Sequence, residues 1–433
     1  MYDVIPYLVL FSWPLIAILA YLKLDTVTAT FVTIVGGYFI LPLKVELDLP
    51  LLPPLDKESI PNISALISIL ILKKKKFHFF TQYRWLKVVI GIVVAIPFIN
   101  VFFNLSPIFN GAFWLPSLTP HDGFSNSLLA YLRILPFIIA INITQSNKDV
   151  FRLFQLLVWS LLMYAPLVLL ELRLSPQLHN WVYGYHPHSF IQQVRDGGFR
   201  AVVFLGHGLL TSNIYLAGFI ALSILYKAKV FFINQRVNLA LLFLFFVFII
   251  LLKSVSAIIM ALLCATMVFT LRNSLRFKAS TIIVSFVVLY PYISYLGFIP
   301  YEIINDYLIR FNAERAQSLY FRFSNEAFLL DYLGNNFLIG NGGSRMMLYK
   351  TVVDGTWIIW TMSFGVIYTT LNFLLFAGVT YINRYKGSER MRLNSLFALF
   401  PAIMMIDQIP NSSLTHPWMW LFGGAILIAS LKK

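Results

Sequence analysis

The stretch "QQVRDGGFRAVVFLGHGLL", residues 192–210, sets Arg195 and Arg200 around Asp196, Gly197 and Gly198, with Gly206 and His207 just before an apolar run. A guanidinium fork matches phosphate oxygens two at a time, and glycine lets backbone amides come close to an anion. Two readings weigh equally on this stretch alone: an anion-binding loop, or two arginines at headgroup level, one of them paired with Asp196. A later stretch supplies Arg310, Arg315, Arg322 and Arg345, with "GNNFLIGNGG" over Gly334–Gly343 and "DGTW" over Asp354–Trp357. Its glycine-rich piece lacks the Lys followed by Ser or Thr of a nucleotide-binding loop. Arg322 and Glu326 stand i, i+4, the spacing of a solvated helical salt bridge, which competes with a binding role. Lys253 lies in a short turn expected on the same side. His186 and His188 flank a proline in "YHPHSF" and read more as polar surface than as a ligand pair. These stretches contain no D-x-D pattern and no metal-ligand spacing, so an anion here is expected to be held by arginine and lysine, with no metal and no cofactor.

The elements that position these residues are membrane helices. Of 433 residues 59% are hydrophobic and 12% charged, far from the composition of soluble domains. Runs of apolar residues long enough to cross hydrocarbon recur from end to end, and strand alternation is missing, so the expected fold is all-α and polytopic. Spans are placed near 4–22, 26–43, 88–104, 127–144, 152–170, 209–227, 237–252, 256–271, 279–297, 357–381, 394–410 and 418–431, about twelve in a single integral membrane domain over 1–433. The first run has no basic start and no small-residue cleavage site, and is read as a retained helix.

Most of the lysine and arginine behind the net charge of +15 then falls on one side, including Lys73–Lys76 in the connection 44–87. By the positive-inside bias that side is cytoplasmic and holds both termini, which leaves no reason to invoke nucleic acid. Residues 59–72 are apolar but short, and are expected to lie on the cytoplasmic interface with the lysines at anionic headgroups. If they cross, the chain has thirteen spans and an outside N-terminus. Two external loops, 171–208 and 298–356, are long enough to form a folded site. Within the spans, Arg133 and Asp407 are costly charges; Arg133 is read as somewhat more structural than catalytic. Trp114, Trp181, Trp357, Trp360, Trp418 and Trp420 are expected as an interfacial belt. Cys264 has no partner for a disulfide.

"ELRLSPQLHNWVYGYHPHSFIQQVRDGGFRAVVFLGHGLL", two spans joined at "KSVSA", then "RFSNEAFLLDYLGNNFLIGNGG" and "DGTWIIWTMSFG" occur in that order. Together they resemble the bacterial O-antigen polymerase and O-antigen ligase superfamily over residues 90–431. Polymerases of that family carry an arginine, ten residues and a glycine in each large periplasmic loop. Arg195 and Gly206 keep this spacing, whereas Arg322 and Gly334 are one residue too far apart. Ligases carry a histidine where this chain has Asp354, and Lys253 stands where relatives often have an arginine. The resemblance implies a glycosyltransferase in the bacterial inner membrane, active on the periplasmic face, with undecaprenyl-diphosphate-linked oligosaccharide as donor and acceptor. Its partners would be the lipid bilayer and a chain-length regulator protein. The diphosphate leaving group would be met by Arg195, Arg200, Lys253 and Arg322, with Gly197, Gly198 and Gly206 closing the backbone around it. The acceptor hydroxyl needs a base, for which Asp354, Glu171 and His207 are the expectations in falling order. A ligase or a lipid-linked oligosaccharide flippase is the alternative; a flippase would place its charges near the midplane in matched halves.

Overall fold

A computed structural model describes residues 4–49, 52–74, 76–110, 113–195, 197–310, 313–343, 353–382 and 388–432. The fold is all-α and membrane-embedded: seven of the described helices are long and apolar enough to cross a membrane. These are α1 (Ile5–Lys23), α4 (Arg84–Val101), α5 (Pro120–Ile143), α6 (Asn147–Leu174), α8 (Gly208–Ala228), α11 (Asn273–Tyr295) and α14 (Thr356–Ala377). Shorter apolar helices stand among them: α2 (Thr26–Ile40), α3 (Ser59–Ile71), α9 (Gln235–Leu251), α10 (Val255–Phe269) and α17 (Pro417–Leu431). The connections add α7 (Leu178–Tyr183), α12 (Tyr301–Ile309) and α13 (Ala313–Leu333), and α15 (Ser388–Phe397) leads directly into α16 (Leu399–Ile406).

Helices α8 and α17 are apolar all round and buried along almost their whole length, so they form the centre of the bundle. Helix α17 leans on α5 through Gly424, where a Cβ would come within 2.5 Å of the Phe137 carbonyl. Trp357, Trp360, Trp418 and Trp420 are at most 2% exposed, with Trp360 stacked on Trp420. They pack this core instead of forming the expected belt; Trp114 and Trp181 do stand exposed.

Hydrogen bonds across the connections sort the helix ends into two sets. At one end the Lys73 ammonium reaches the Leu24 carbonyl, the His78 backbone pairs with Asn142, and Lys432 reaches Thr144. At the other, here called the loop end, Leu43 meets His179, Lys57 donates to the Phe204 carbonyl at 2.9 Å, and Glu58 meets His416. Helix α3 therefore begins among the long loops and finishes beside the α1–α2 turn, passing through the bundle from end to end. This corrects the expectation of an interfacial segment, the assignment of the whole of 44–87 to one side, and the side assigned to the turn near residue 24. The physical reason is that α3 is short and polar toward its neighbours. Asn62 donates to the Leu132 carbonyl of α5, Ser64 and Ser68 face inward, and Ile67 and Ile71 are exposed on the outer face. Buried polar groups that are paired inside the protein cost little, so a segment too weak for a hydropathy scan can still sit within the bundle.

Candidate functional site

Loop 171–208 is organised on a carboxylate. At the last turn of α6, Glu171 accepts the amides of Val202 and Val203, each at 2.7 Å, and of Leu178 at 2.9 Å, while only 1% exposed. Its oxygens are engaged by backbone donors, so Glu171 fastens both limbs of the loop to α6; it does not face a site as the expected base would. Gln193 continues the fastening, its carbonyl accepting the Arg200 amide and its side-chain oxygen the Gly208 amide. Between them Val194–Arg195 (β1) and Gly198–Phe199 (β2) pair antiparallel across a tight turn with Gly197 at φ 69°. Asp196 lies outside the described residues.

The α9–α10 turn closes against this hairpin. The Lys253 ammonium donates to the Arg195 carbonyl at 2.9 Å, and the Arg200 Nη2 donates to the Lys253 carbonyl at 3.1 Å. The structure thus brings the Arg195 backbone and the Arg200 and Lys253 side chains together. The glycines do other work than expected. A Cβ on Gly198 would stand 2.5 Å from Lys253 Nζ, and one on Gly206, itself at φ 94°, 2.9 Å from the Leu43 Cδ1. Both make room for protein, while Gly197 faces open space. Arg195 Nε is buried and has no hydrogen-bond partner among the described residues.

From the second long loop, α13 presents Arg322. Its Nε lies 3.4 Å from Asp354 Oδ2, and its Nη1 donates to the Pro410 carbonyl. Arg322 does not take Glu326 as its i, i+4 partner; Glu326 accepts instead from Ser294 at 2.5 Å, Tyr301 at 2.7 Å and Tyr290 at 3.1 Å. Burial raises the Glu326 carboxyl above its ordinary range against the pull of these hydroxyls. Burial also raises Asp354, with Arg322 opposing. Arg322, Asp354 and Glu326 line a cavity of about 490 Å³ whose other walls, among them Phe286, Phe298 and Ile304, are largely apolar. Arg310 is exposed at the end of α12. The Arg315 side chain and Arg345 lie outside the described residues.

The glycine-rich "GNNFLIGNGG" is a packing device and not a cradle. Helix α14 breaks at Gly365, φ 83°, and the loop docks into the break: Asn341 and Gly342 donate to the carbonyls of Met362 and Ser363 at 2.8 and 2.9 Å. A Cβ on Gly340 would meet the Gly365 nitrogen at 2.6 Å. Asn100 of α4 and Asn104 just beyond its end hold the Gly340 carbonyl from the other side.

His207 closes the first loop. It caps α8, its Nδ1 accepting the Leu209 amide at 3.1 Å, and its ring lies 5.0 Å from that of His188. Burial, then the neighbouring His188, Arg200 and Arg322, lower its pKa to about 4. Arg200 from the first loop and Arg322 from the second therefore act on one imidazole. With Nδ1 accepting, the neutral ring carries its hydrogen on Nε2 and offers a donor, which sets it apart from the expected base.

Beneath these groups Asp407, 4% exposed, accepts from Asn213 and Asn411 at 2.7 Å and from Ser413 at 2.9 Å. It braces the turn that carries Pro410. Sequence reasoning did not find Lys57, Glu58 or His416, which also stand at the loop end. Their only signal is spatial, since 358 positions separate Glu58 from His416. Among the described residues no three His, Cys, Asp or Glu side chains are grouped as metal ligands would be. Comparison of the chain with models of known protein families, with curated proteins and with solved structures finds no match.

Proposed function

We propose that the chain is a membrane glycosyltransferase that joins lipid-linked oligosaccharide repeat units into a surface polysaccharide. The observation that carries this reading is the interlocking of the Arg195–Arg200 hairpin with Lys253 at the loop end, with the charges of Arg200 and Arg322 both bearing on His207 and Arg322 lining an apolar cavity. Such a site suits a diphosphate attached to an isoprenoid: the cations take the charge that develops as the sugar departs, and the apolar walls take the hydrocarbon. Asp354 orients the Arg322 guanidinium. Glu171 and the glycines set the shape of the loops.

The topology that accompanies this reading has thirteen crossings, with α15 and α16 forming one of them, and the N-terminus on the loop end. Lysines at the other end, including Lys74, Lys76, Lys148, Lys227 and Lys229, make that end cytoplasmic by the positive-inside bias and the loop end periplasmic in a bacterial inner membrane. The test is to replace Arg195, Arg200 and Arg322 singly with alanine and lysine and to measure glycan chain length in a deletion strain at matched membrane abundance. Loss of long chains is expected in each alanine variant, and normal chains in all three would overturn the assignment. Accumulation of long, unattached lipid-linked chains in the deletion strain would assign a ligase instead, whereas single repeats on the acceptor fit the polymerase.

A further inference from the structure

The proposed reaction leaves one group unassigned, the acceptor of the hydroxyl proton, because Glu171 is engaged by amides, Asp354 faces Arg322 and His207 presents a donor. Glu58, just before α3, and His416, just before α17, form a second constellation at the same end. His416 Nδ1 lies 2.8 Å from Glu58 Oε1, with the imidazole 15% and the carboxylate 27% exposed. The Tyr38 ring packs on the imidazole at 4.9 Å between centroids. Glu58, Asp56, Arg133 and Thr415 line a small cavity of about 50 Å³ between the tips of α3, α5 and α17. Lys57, beneath Tyr38, ties this corner to the Phe204 carbonyl, three positions before His207. The segment 407–416 links the corner to the cations, because its Pro410 carbonyl accepts from Arg322 and its His416 meets Glu58.

We propose that Glu58 and His416 form a carboxylate–imidazole dyad in which His416 Nε2 takes the proton of the acceptor hydroxyl, an inference that rests on the glycosyltransferase reading. An N–H at Nδ1 donated to an ionised carboxylate fixes the tautomer, leaves the Nε2 lone pair as the proton acceptor and stabilises the imidazolium that forms. As the acceptor oxygen bonds to the anomeric carbon, the bond from that carbon to the diphosphate oxygen breaks and its electron pair leaves with the diphosphate. The proton passes to His416 Nε2 and from there to water. Burial works against a charged Glu58, and the hydrogen bond from His416 together with the charges of His416, Arg133 and Lys57 outweighs it, holding the carboxyl below its ordinary range. Asp56, Lys57 and Arg133 are the other charged groups about the pair; Asp56 is occupied at the start of α3, where its Oδ1 accepts the Glu58 and Ser59 amides.

The test measures transfer between lipid-linked repeat units by the full chain in proteoliposomes, as a function of pH. His416→Gln is expected to lower the rate by about 10²–10⁴-fold at unchanged donor binding, as loss of a positioned base does. Glu58→Gln tests the dyad in a protein that retains its base: removing the carboxylate makes the imidazolium less stable, so the acid limb of the profile moves to lower pH. A His416→Gln rate within tenfold of the parent, or an unmoved acid limb in Glu58→Gln, overturns the dyad. If Arg195→Ala and Arg322→Ala abolish transfer while His416→Gln does not, the dyad falls and the glycosyltransferase reading stands. Absence of transfer by the parent chain overturns both. Loss of transfer in Asp354→Asn together with a His416→Gln rate within tenfold of the parent returns the proton to that carboxylate and refutes the dyad.

Discussion

Substituting Glu171→Gln separates a loop fastener from a proton acceptor, and its magnitude follows from three hydrogen bonds. One carboxylate oxygen takes two amides at 2.7 Å and the other takes one at 2.9 Å. A glutamine can turn its carbonyl to Val202 and Val203, but its amide then points hydrogens at the Leu178 N–H. Bonds to a charged acceptor contribute about 1.5–3 kcal/mol and neutral ones about 1 kcal/mol, so losing one and weakening two costs about 4 kcal/mol. That is a large part of the stability of a domain, and it falls on the loop and not on the helices, because both limbs are held by this one side chain. The Val202 and Val203 amides should therefore exchange with deuterium about 10³-fold faster in the variant, at roughly 1.4 kcal/mol per tenfold, with the apolar helices unchanged. On the proposed glycosyltransferase reading, long glycan chains should disappear together with this protection. Protection within threefold of the parent combined with lost transfer would refute the argument and restore the carboxylate as a base.

Gly365→Ala should release the second loop: its Cβ would meet the Leu338 carbonyl at 2.0 Å and φ is 83°, so a loss of several kcal/mol is expected in unfolding of the solubilised protein. Gly91→Ala, where nothing stands within 4 Å, is the control and should be neutral or stabilising. His207 titrates near 4 when folded, against 6.5 for an ordinary histidine. Both states are thus neutral at high pH, and as the pH falls through 6.5 toward 4 only the unfolded chain gains the proton, lowering stability by up to ~3 kcal/mol. His207→Asn keeps a capping side chain and should remove much of that slope between pH 7 and 4.5; an unchanged slope would refute the buried-imidazole account. Because Cys264 is buried, single cysteines report sidedness cleanly: an impermeant maleimide should label exposed Lys44→Cys and Lys74→Cys from opposite faces, and labelling of both from one face would return α3 to the interface.

Much of this arrangement is visible in residue type. Long apolar runs force helices, and cations placed between them stand out, so Arg195, Arg200, Lys253 and Arg322 can be singled out before any contact is known. Other features depend on facts that local pattern does not hold. Helix α3 carries Asn62, Ser64 and Ser68 on its inner face, which lowers its hydropathy although those groups are buried and mostly paired. The same glycine spacing serves an anion cradle or a close backbone approach, and only the partner decides: Leu43 for Gly206, Lys253 for Gly198 and Gly365 for Gly340. An i, i+4 pair such as Arg322 and Glu326 reads as a salt bridge until the hydroxyls of Tyr290, Ser294 and Tyr301 are seen to take the carboxylate. Tryptophans at helix ends look interfacial until the bundle centre is located, and Trp418 and Trp420 are in it.

The segment 407–416 gives this site a geometric constraint that neither long loop supplies. Asp407 holds it to α8 through Asn213 and to itself through Asn411 and Ser413, while the Gln408 oxygen bridges Thr356 and the Leu414 amide. Five such bonds in so short a segment leave little freedom for the Pro410 carbonyl that receives Arg322 or for the His416 ring that meets Glu58. On the proposed reading, Arg322 meets the departing diphosphate and His416 the incoming hydroxyl, so the separation of these two events is set by the segment and not by the loops around it. Catalysis that depends on placing reacting groups to a fraction of an ångström is served better by such a short, internally bonded strut than by long connections.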